Sequence, residues 1–165
     1  MIERRIGAFG GTFDPIHNGH MAVARDLVLN FELDRLLMIP AHRPPHKTTR
    51  AIADGHHRYT MTVLATLDEP RVVVSTLELD APERPYTVET IARLRHFFGE
   101  RSELFFIMGA DSFQEVNTWR ESERVLESAN WIVVARPGHE ISVTHLPEHL
   151  RAQIVDLRAL ICLNT

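Results

Sequence analysis

The sequence predicts an α/β fold built on a mostly parallel sheet. Three features carry that expectation: five short, nearly all-apolar runs, longer segments of helical period between them, and a glycine-rich turn where the first run meets the first helical segment. A strand covered by helices on both faces is apolar along its whole length, whereas a half-exposed strand alternates.

The first strand spans Ile6 to Phe9, and a helix follows over Gly19 to Asn30. The second strand, Arg35 to Ile39, opens onto a polar connector from Ala41 to Asp54, whose length marks it as functional or mobile. Asp54 is placed to cap a helix over Gly55 to Leu67, and Val72 to Leu77 is the third strand. Thr87 is placed as N-cap and Gly99 as C-cap of a helix over Val88 to Phe98. Leu104 to Met108 is the fourth strand, after which Asp111 caps a helical pair covering Ser112 to Glu127. Trp131 to Ala135 is the fifth strand. Beyond Pro137-Gly138 the rhythm weakens, with one more helix at Pro147 to Ile154 and an apolar piece at Val155 to Cys162. The expected architecture is a Rossmann-like doubly wound sheet of about five strands with helices on both faces. Residues 1–138 form its core, and residues 139–165 read as an atypical, truncated C-terminal segment of the same domain.

Composition narrows the function classes. The 165 residues suit one domain, and 44% hydrophobic with 24% charged residues excludes disorder. With 18 Lys and Arg against 22 Asp and Glu the net charge is −4, which argues against a protein that coats nucleic acid by neutralising phosphates. The single cysteine, Cys162, forms no internal disulfide and no zinc ribbon. Runs such as Leu104 to Met108 are too short to span a bilayer, so the expectation is a cytoplasmic protein with neither membrane nor nucleic acid as partner. The sequence carries no signal of oligomeric state. His42, His46, His56 and His57 lack the helical His-Glu-x-x-His spacing of a zinc site, and Pro44 and Pro45 disfavour a helix there.

Chemistry concentrates in Gly10-Gly11-Thr12-Phe13-Asp14-Pro15-Ile16-His17-Asn18-Gly19-His20, between the first strand and the first helix. Unpaired N–H groups and the helix dipole make that junction an anion site in an open α/β sheet. Gly10 and Gly11 allow a ligand to approach the backbone, and His17 and His20, three apart, face one anion from the same side. Neither a P-loop nor G-x-G-x-x-G is present.

Four further segments follow strands. Pro44-Pro45-His46-Lys47 is a stiff loop that could offer an imidazole and an ammonium to phosphates, or could equally be a solvated basic loop. Tyr86-Thr87-Val88-Glu89-Thr90 opens a helix whose N–H groups could receive a carboxylate, although Thr87 could serve as a cap alone. In Gly109-Ala110-Asp111 the acid is placed for a ribose hydroxyl, and Trp119 could stack on a pyridine ring or pack in the core. Arg136, after the fifth strand, could bind phosphate, stack on adenine or balance an acid.

The first of these elements closely resembles the G-x-F-D-x-x-H-x-G-H mark of the nucleotidylyltransferase superfamily. In order from Ile6 to Gly138, the set resembles the bacterial nicotinate-nucleotide adenylyltransferases. That resemblance implies transfer of AMP from ATP to nicotinate mononucleotide, giving deamido-NAD and pyrophosphate. It implies ATP phosphates and the transition state at Gly10, Gly11, Thr12, Phe13, His17 and His20, with His46 and Lys47 beside the phosphates at the nicotinate-nucleotide side. Thr87 and Trp119 fall at nicotinate, and Asp111 and Arg136 at adenosine. His17, His20 and Lys47 are the implied catalytic residues. Mg²⁺ arrives with ATP and no tightly bound cofactor is expected. Arg58, Glu78 and Glu89 receive no role, since each could equally orient a loop or cap a helix.

The family's C-terminal Ile-Ser-x-Thr-x-x-Arg element has no convincing counterpart, because Pro147 stands where the arginine would fall after Ile141-Ser142-Val143-Thr144. Phosphopantetheine and small-alcohol-phosphate acceptors are the enzymatic alternatives within the superfamily. A truncated, non-catalytic nucleotide-binding module is the alternative of another class.

Overall fold

The computed structural model describes residues 4–42 and 51–135, together with 142, 144, 146 and 148. Five strands, β1 (Arg5–Gly11), β2 (Arg35–Pro40), β3 (Val72–Val74), β4 (Glu103–Gly109) and β5 (Asn130–Val134), form one sheet in the order β3-β2-β1-β4-β5. All four pairings are parallel, so every strand ends at the same edge. The helices are α1 (Asn18–Asn30), α2 (Gly55–Ala65), α3 (Thr87–Phe98), α4 (Ala110–Gln114) and α5 (Ser122–Glu127), with a 3₁₀ turn at Val116–Thr118. β1 is central: the chain first winds outward through β2 and β3, then returns to β4 on the other side. The crevice beyond the ends of β1 and β4 is therefore the switch point where such sheets take ligands.

Strand alternation divides the core into two layers. Ile6, Ala8, Leu104, Phe106, Met108, Trp131 and Val133 pack with α3, α4 and α5, while Phe9, Leu36, Met38, Phe105, Ile107 and Ile132 pack with α1. Both faces of β4 are thus buried, which is why its sequence reads as one unbroken apolar run. Leu146, beyond the last strand, is also buried in the first layer.

Four sequence expectations are corrected. β3 stops at Val74, because as an edge strand it pairs with β2 alone; the Ser75 N–H still donates to the Met38 carbonyl, but the Leu77 N–H turns back to Ser75 Oγ. α2 ends two residues early, where the Thr66 N–H donates to the Thr62 and Val63 carbonyls. Tyr86 rather than Thr87 is the N-cap of α3, and Gly109 rather than Asp111 that of α4. Asp54 does cap α2, accepting from the His56 N–H at 2.9 Å, and Gly99 closes α3 with φ 82°. The expected helix at Pro147 to Ile154, apart from Glu148, and the piece at Val155 to Cys162 lie outside the described residues.

Candidate active site

The switch-point crevice is a cavity of about 350 Å³. Gly10, Gly11 and Thr12 form one wall at the end of β1, Ala41 continues it from β2, and Phe106, Ile107 and Met108 form the apolar floor. Thr87, at the start of α3, and Trp119, after the 3₁₀ turn, complete the lining from the helical side. The structure therefore brings Gly10, Gly11, Thr12, Thr87 and Trp119 to one space, although their numbers span more than a hundred positions.

The glycine loop is shaped from within. Phe13 has φ 47° and is 1% exposed, with its ring 5.7 Å from that of Phe9 and 5.2 Å from that of His20. A Cβ on Gly11 would stand 2.7 Å from the Phe13 ring, so Gly11 lacks a side chain to admit an internal aromatic ring. Gly10 differs, since a Cβ there meets nothing nearer than Phe106 at 4.0 Å. The close approach expected of both glycines is thus internal at Gly11, and Phe13 offers a ligand its main chain rather than its ring. Gly11→Ala is expected to destabilise the fold by about 1–3 kcal/mol through overpacking, a shift that urea unfolding measures directly.

His17 is the N-cap of α1 and His20 its third helical residue. The His17 N–H donates to Nδ1 of His20 at 3.3 Å, and the two rings lie 3.8 Å apart. Nδ1 is therefore the acceptor nitrogen, and in the neutral ring the proton sits on Nε2. Burial, and then the neighbouring His17, push the His20 pKa down to about 4. His20 is thus an uncharged N–H donor at neutral pH. Neither histidine is among the residues lining the cavity; the His20 ring packs on Phe13, the residue after Thr12.

The depressed pKa has a signed consequence. Between pH 6.5 and about 4 the unfolded chain binds a proton at His20 that the folded chain refuses, so this contribution to stability is complete above 6.5 and is lost on acidification. Urea midpoints at pH 7 and 4.5 should fall less in His20→Ala than in the parent. Equal falls would contradict the assignment.

On the opposite side, the Tyr86 N–H donates to Glu89 Oε2 at 3.0 Å, which gives Glu89 the role of capping α3. With the cap supplied by Tyr86 and Glu89, the Thr87 hydroxyl is not spent on it. Asp111 is exposed at the start of α4 and lies outside the cavity lining, whereas its neighbour Ser112 is part of it. His46, Lys47 and Arg136 lie outside the described residues.

Among the described residues, three charged ones that line the cavity carried no motif signal of it in the sequence: Glu78, Arg84 and Arg120. Glu78 accepts from Thr90 Oγ1 at 3.0 Å; burial pushes its carboxyl up, opposed by Thr90, the His42 N–H and the charges of Arg84 and Arg93. Arg120 lies over the Tyr86 ring at 4.8 Å, a cation–π contact at the Trp119 end. Position next to Tyr86-Thr87 and Trp119 was the only available signal for these arginines. Among the described residues no group of three His, Cys, Asp or Glu is arranged to hold a metal, and no helix is long and apolar enough to cross a membrane.

The profile of the cytidylyltransferase-like family matches residues 8–158. A Thermus thermophilus protein named "Probable nicotinate-nucleotide adenylyltransferase" is 49% identical over 143 residues, covering 87% of this chain and 75% of the relative. A Thermoanaerobacter protein of the same name is 44% identical over 138 residues, covering 84% of this chain and 65% of the relative, so the chain spans just under two thirds of that relative's length. Among solved structures, Plasmodium falciparum nicotinic acid mononucleotide adenylyltransferase complexed with NaAD superposes with a TM-score of 0.73 at 17% identity, over 92% of this chain and 71% of that one. That likeness concerns the fold.

Proposed function

The chain belongs to the cytidylyltransferase-like family and, within it, to the nicotinate-nucleotide adenylyltransferases, and from that premise we propose that it transfers AMP from ATP to nicotinate mononucleotide. The observation that carries the proposal is the cavity bounded by the β1 glycine wall on one side and Thr87, Trp119 and Arg120 on the other. One side suits phosphates and the other a flat, anionic ring.

In the reaction a phosphate oxygen of the mononucleotide attacks the α-phosphorus of ATP. The new O–P bond forms as the bond to the β-phosphate oxygen breaks, and the electron pair leaves with pyrophosphate. A phosphate monoester, with a second pKa of about 6, is already largely dianionic at neutral pH, so no protein base is needed. The protein's work is to hold two anions in line and to stabilise charge as it moves to the leaving group. Backbone N–H groups of the Gly10–Thr12 wall and the start of α1 cradle the phosphates, and Nε2 of His20 donates to the transferring group. His17 stands beside it. ATP enters as its magnesium complex, so the ion is part of the substrate. His46 and Lys47 assist at the phosphates, and Asp111 and Arg136 at adenosine, by resemblance to the family.

The acceptor end explains a preference for the acid over the amide. Trp119 provides a face for the pyridine ring, the start of α3 at Thr87 provides N–H groups, and Arg120 adds a guanidinium for the carboxylate. Pyrophosphate release with ATP and, in turn, nicotinate mononucleotide, nicotinamide mononucleotide and phosphopantetheine tests the proposal. Nicotinate mononucleotide should be strongly preferred. Equal efficiency with the nicotinamide form overturns the acceptor assignment, and ATP binding without turnover on any acceptor favours a binding module.

A further inference from the structure

Arg58, on α2, is 1% exposed and gives its hydrogen bonds to main-chain oxygens: Nε donates to the Ala53 carbonyl at 3.0 Å, Nη1 to Thr12 at 2.7 Å and Nη2 to Ala41 at 2.8 Å. Burial lowers its pKa, with Asp14 and Asp54 acting in the opposite sense. A rigid planar fork reaches three diverging carbonyls in a way an ammonium cannot. Two of those carbonyls belong to cavity-lining residues on different strands' ends, so one side chain from a third element sets the distance between them. The packing around it is tight: a Cβ on Gly55 would stand 3.4 Å from Nη2 of Arg58 and 2.7 Å from Leu79.

The Ala41 carbonyl shares its peptide group with the His42 N–H, which is turned toward the Glu78 carboxylate and favours its ionised form. One peptide therefore has its oxygen on a buried cation and its N–H turned toward a carboxylate that Thr90 holds from α3. The peptide dipole lies between opposite charges, and the bond to Arg58 is charge-assisted. The neighbouring Ala41 N–H donates to the Gly11 carbonyl at 2.8 Å, so the same residue is tied to β1 as well.

We infer that Arg58 and Glu78 are positioning residues that act as one unit on the Ala41–His42 peptide and thereby fix the phosphate-side wall of the cavity. What the wall does rests on the adenylyltransferase reading, but the clamp itself does not. Each residue orients the same group, so losing either releases it and losing both adds little.

The test compares R58K, E78A, the double variant and the conservative E78Q by hydrogen exchange at individual amides and by steady-state kinetics. The His42 amide should exchange about tenfold faster or more in R58K and in E78A, while the β4 amide of Phe106 keeps its protection. With ATP and nicotinate mononucleotide, kcat should fall about tenfold in each single variant with KM nearly unchanged, since a misplaced wall costs orientation. The double variant should be no slower than the slower single one, and E78Q, which keeps an acceptor oxygen, should recover most of the loss. Parental protection at His42, loss of protection at Phe106 in all four variants, or losses that multiply in the double variant would overturn the inference. If the parent forms no deamido-NAD, the functional reading fails, and exchange at His42 still decides the clamp.

Discussion

His20→Ala should lower kcat by about 10² to 10³, the effect of removing one preorganised donor from a developing charge. Nδ1 is occupied by the His17 N–H, which leaves the proton on Nε2, and a pKa near 4 keeps the ring neutral under assay conditions. The ring cannot swing freely, because Phe13 packs edge-on against it and Gly11 leaves room for Phe13. A donor fixed in this way loses nothing to reorganisation as charge builds, and alanine leaves only water to replace it. KM for both substrates should stay within a few-fold. Some stability should go as well, about 1 kcal/mol, because the same imidazole satisfies an N–H at the start of α1. Turnover close to that of the parent would remove His20 from the mechanism.

Trp119→Ala should raise KM for nicotinate mononucleotide by about 10- to 100-fold, on the scale of a lost base–aromatic stack. KM for ATP should change little. Trp119 is half-buried: one part of the indole packs on the core layer that includes Val116 and Leu126, and another lines the cavity. Its backbone is fixed by the N–H donating to the Val116 carbonyl at 3.0 Å, so the ring is presented by a tight turn. Trp119→Phe retains an aromatic face and should restore most of the affinity. A change confined to KM for ATP would place the ring on the wrong substrate.

The parallel sheet was legible because β1, β2, β4 and β5 are buried on both faces and carry that burial as apolar runs. β3 is shorter than its residues suggest, since Ser75 to Leu77 has strand-like residues but only one neighbour with which to pair. Caps were harder. Thr87 has the usual capping chemistry, yet Glu89 reaches the Tyr86 N–H first and moves the helix start by one residue. In the site, the glycine turn, Thr87 and Trp119 could be found because they sit after strands, where chemistry is expected. Arg58 and Glu78 could not, because their partners are main-chain groups far away in sequence, and a carbonyl at Thr12 or Ala41 leaves no mark in the residue code. Gly11 shows the limit most clearly: a ligand and an internal phenylalanine ask for the same absent side chain.

In the proposed reaction the α-phosphoryl group of ATP moves with its adenosine to the nicotinate mononucleotide phosphate. It is tested most directly with ATP labelled at the α-phosphorus. Labelled deamido-NAD should form in step with unlabelled pyrophosphate, one for one. Label recovered in ADP, or ATP consumed with no dinucleotide formed, would contradict it.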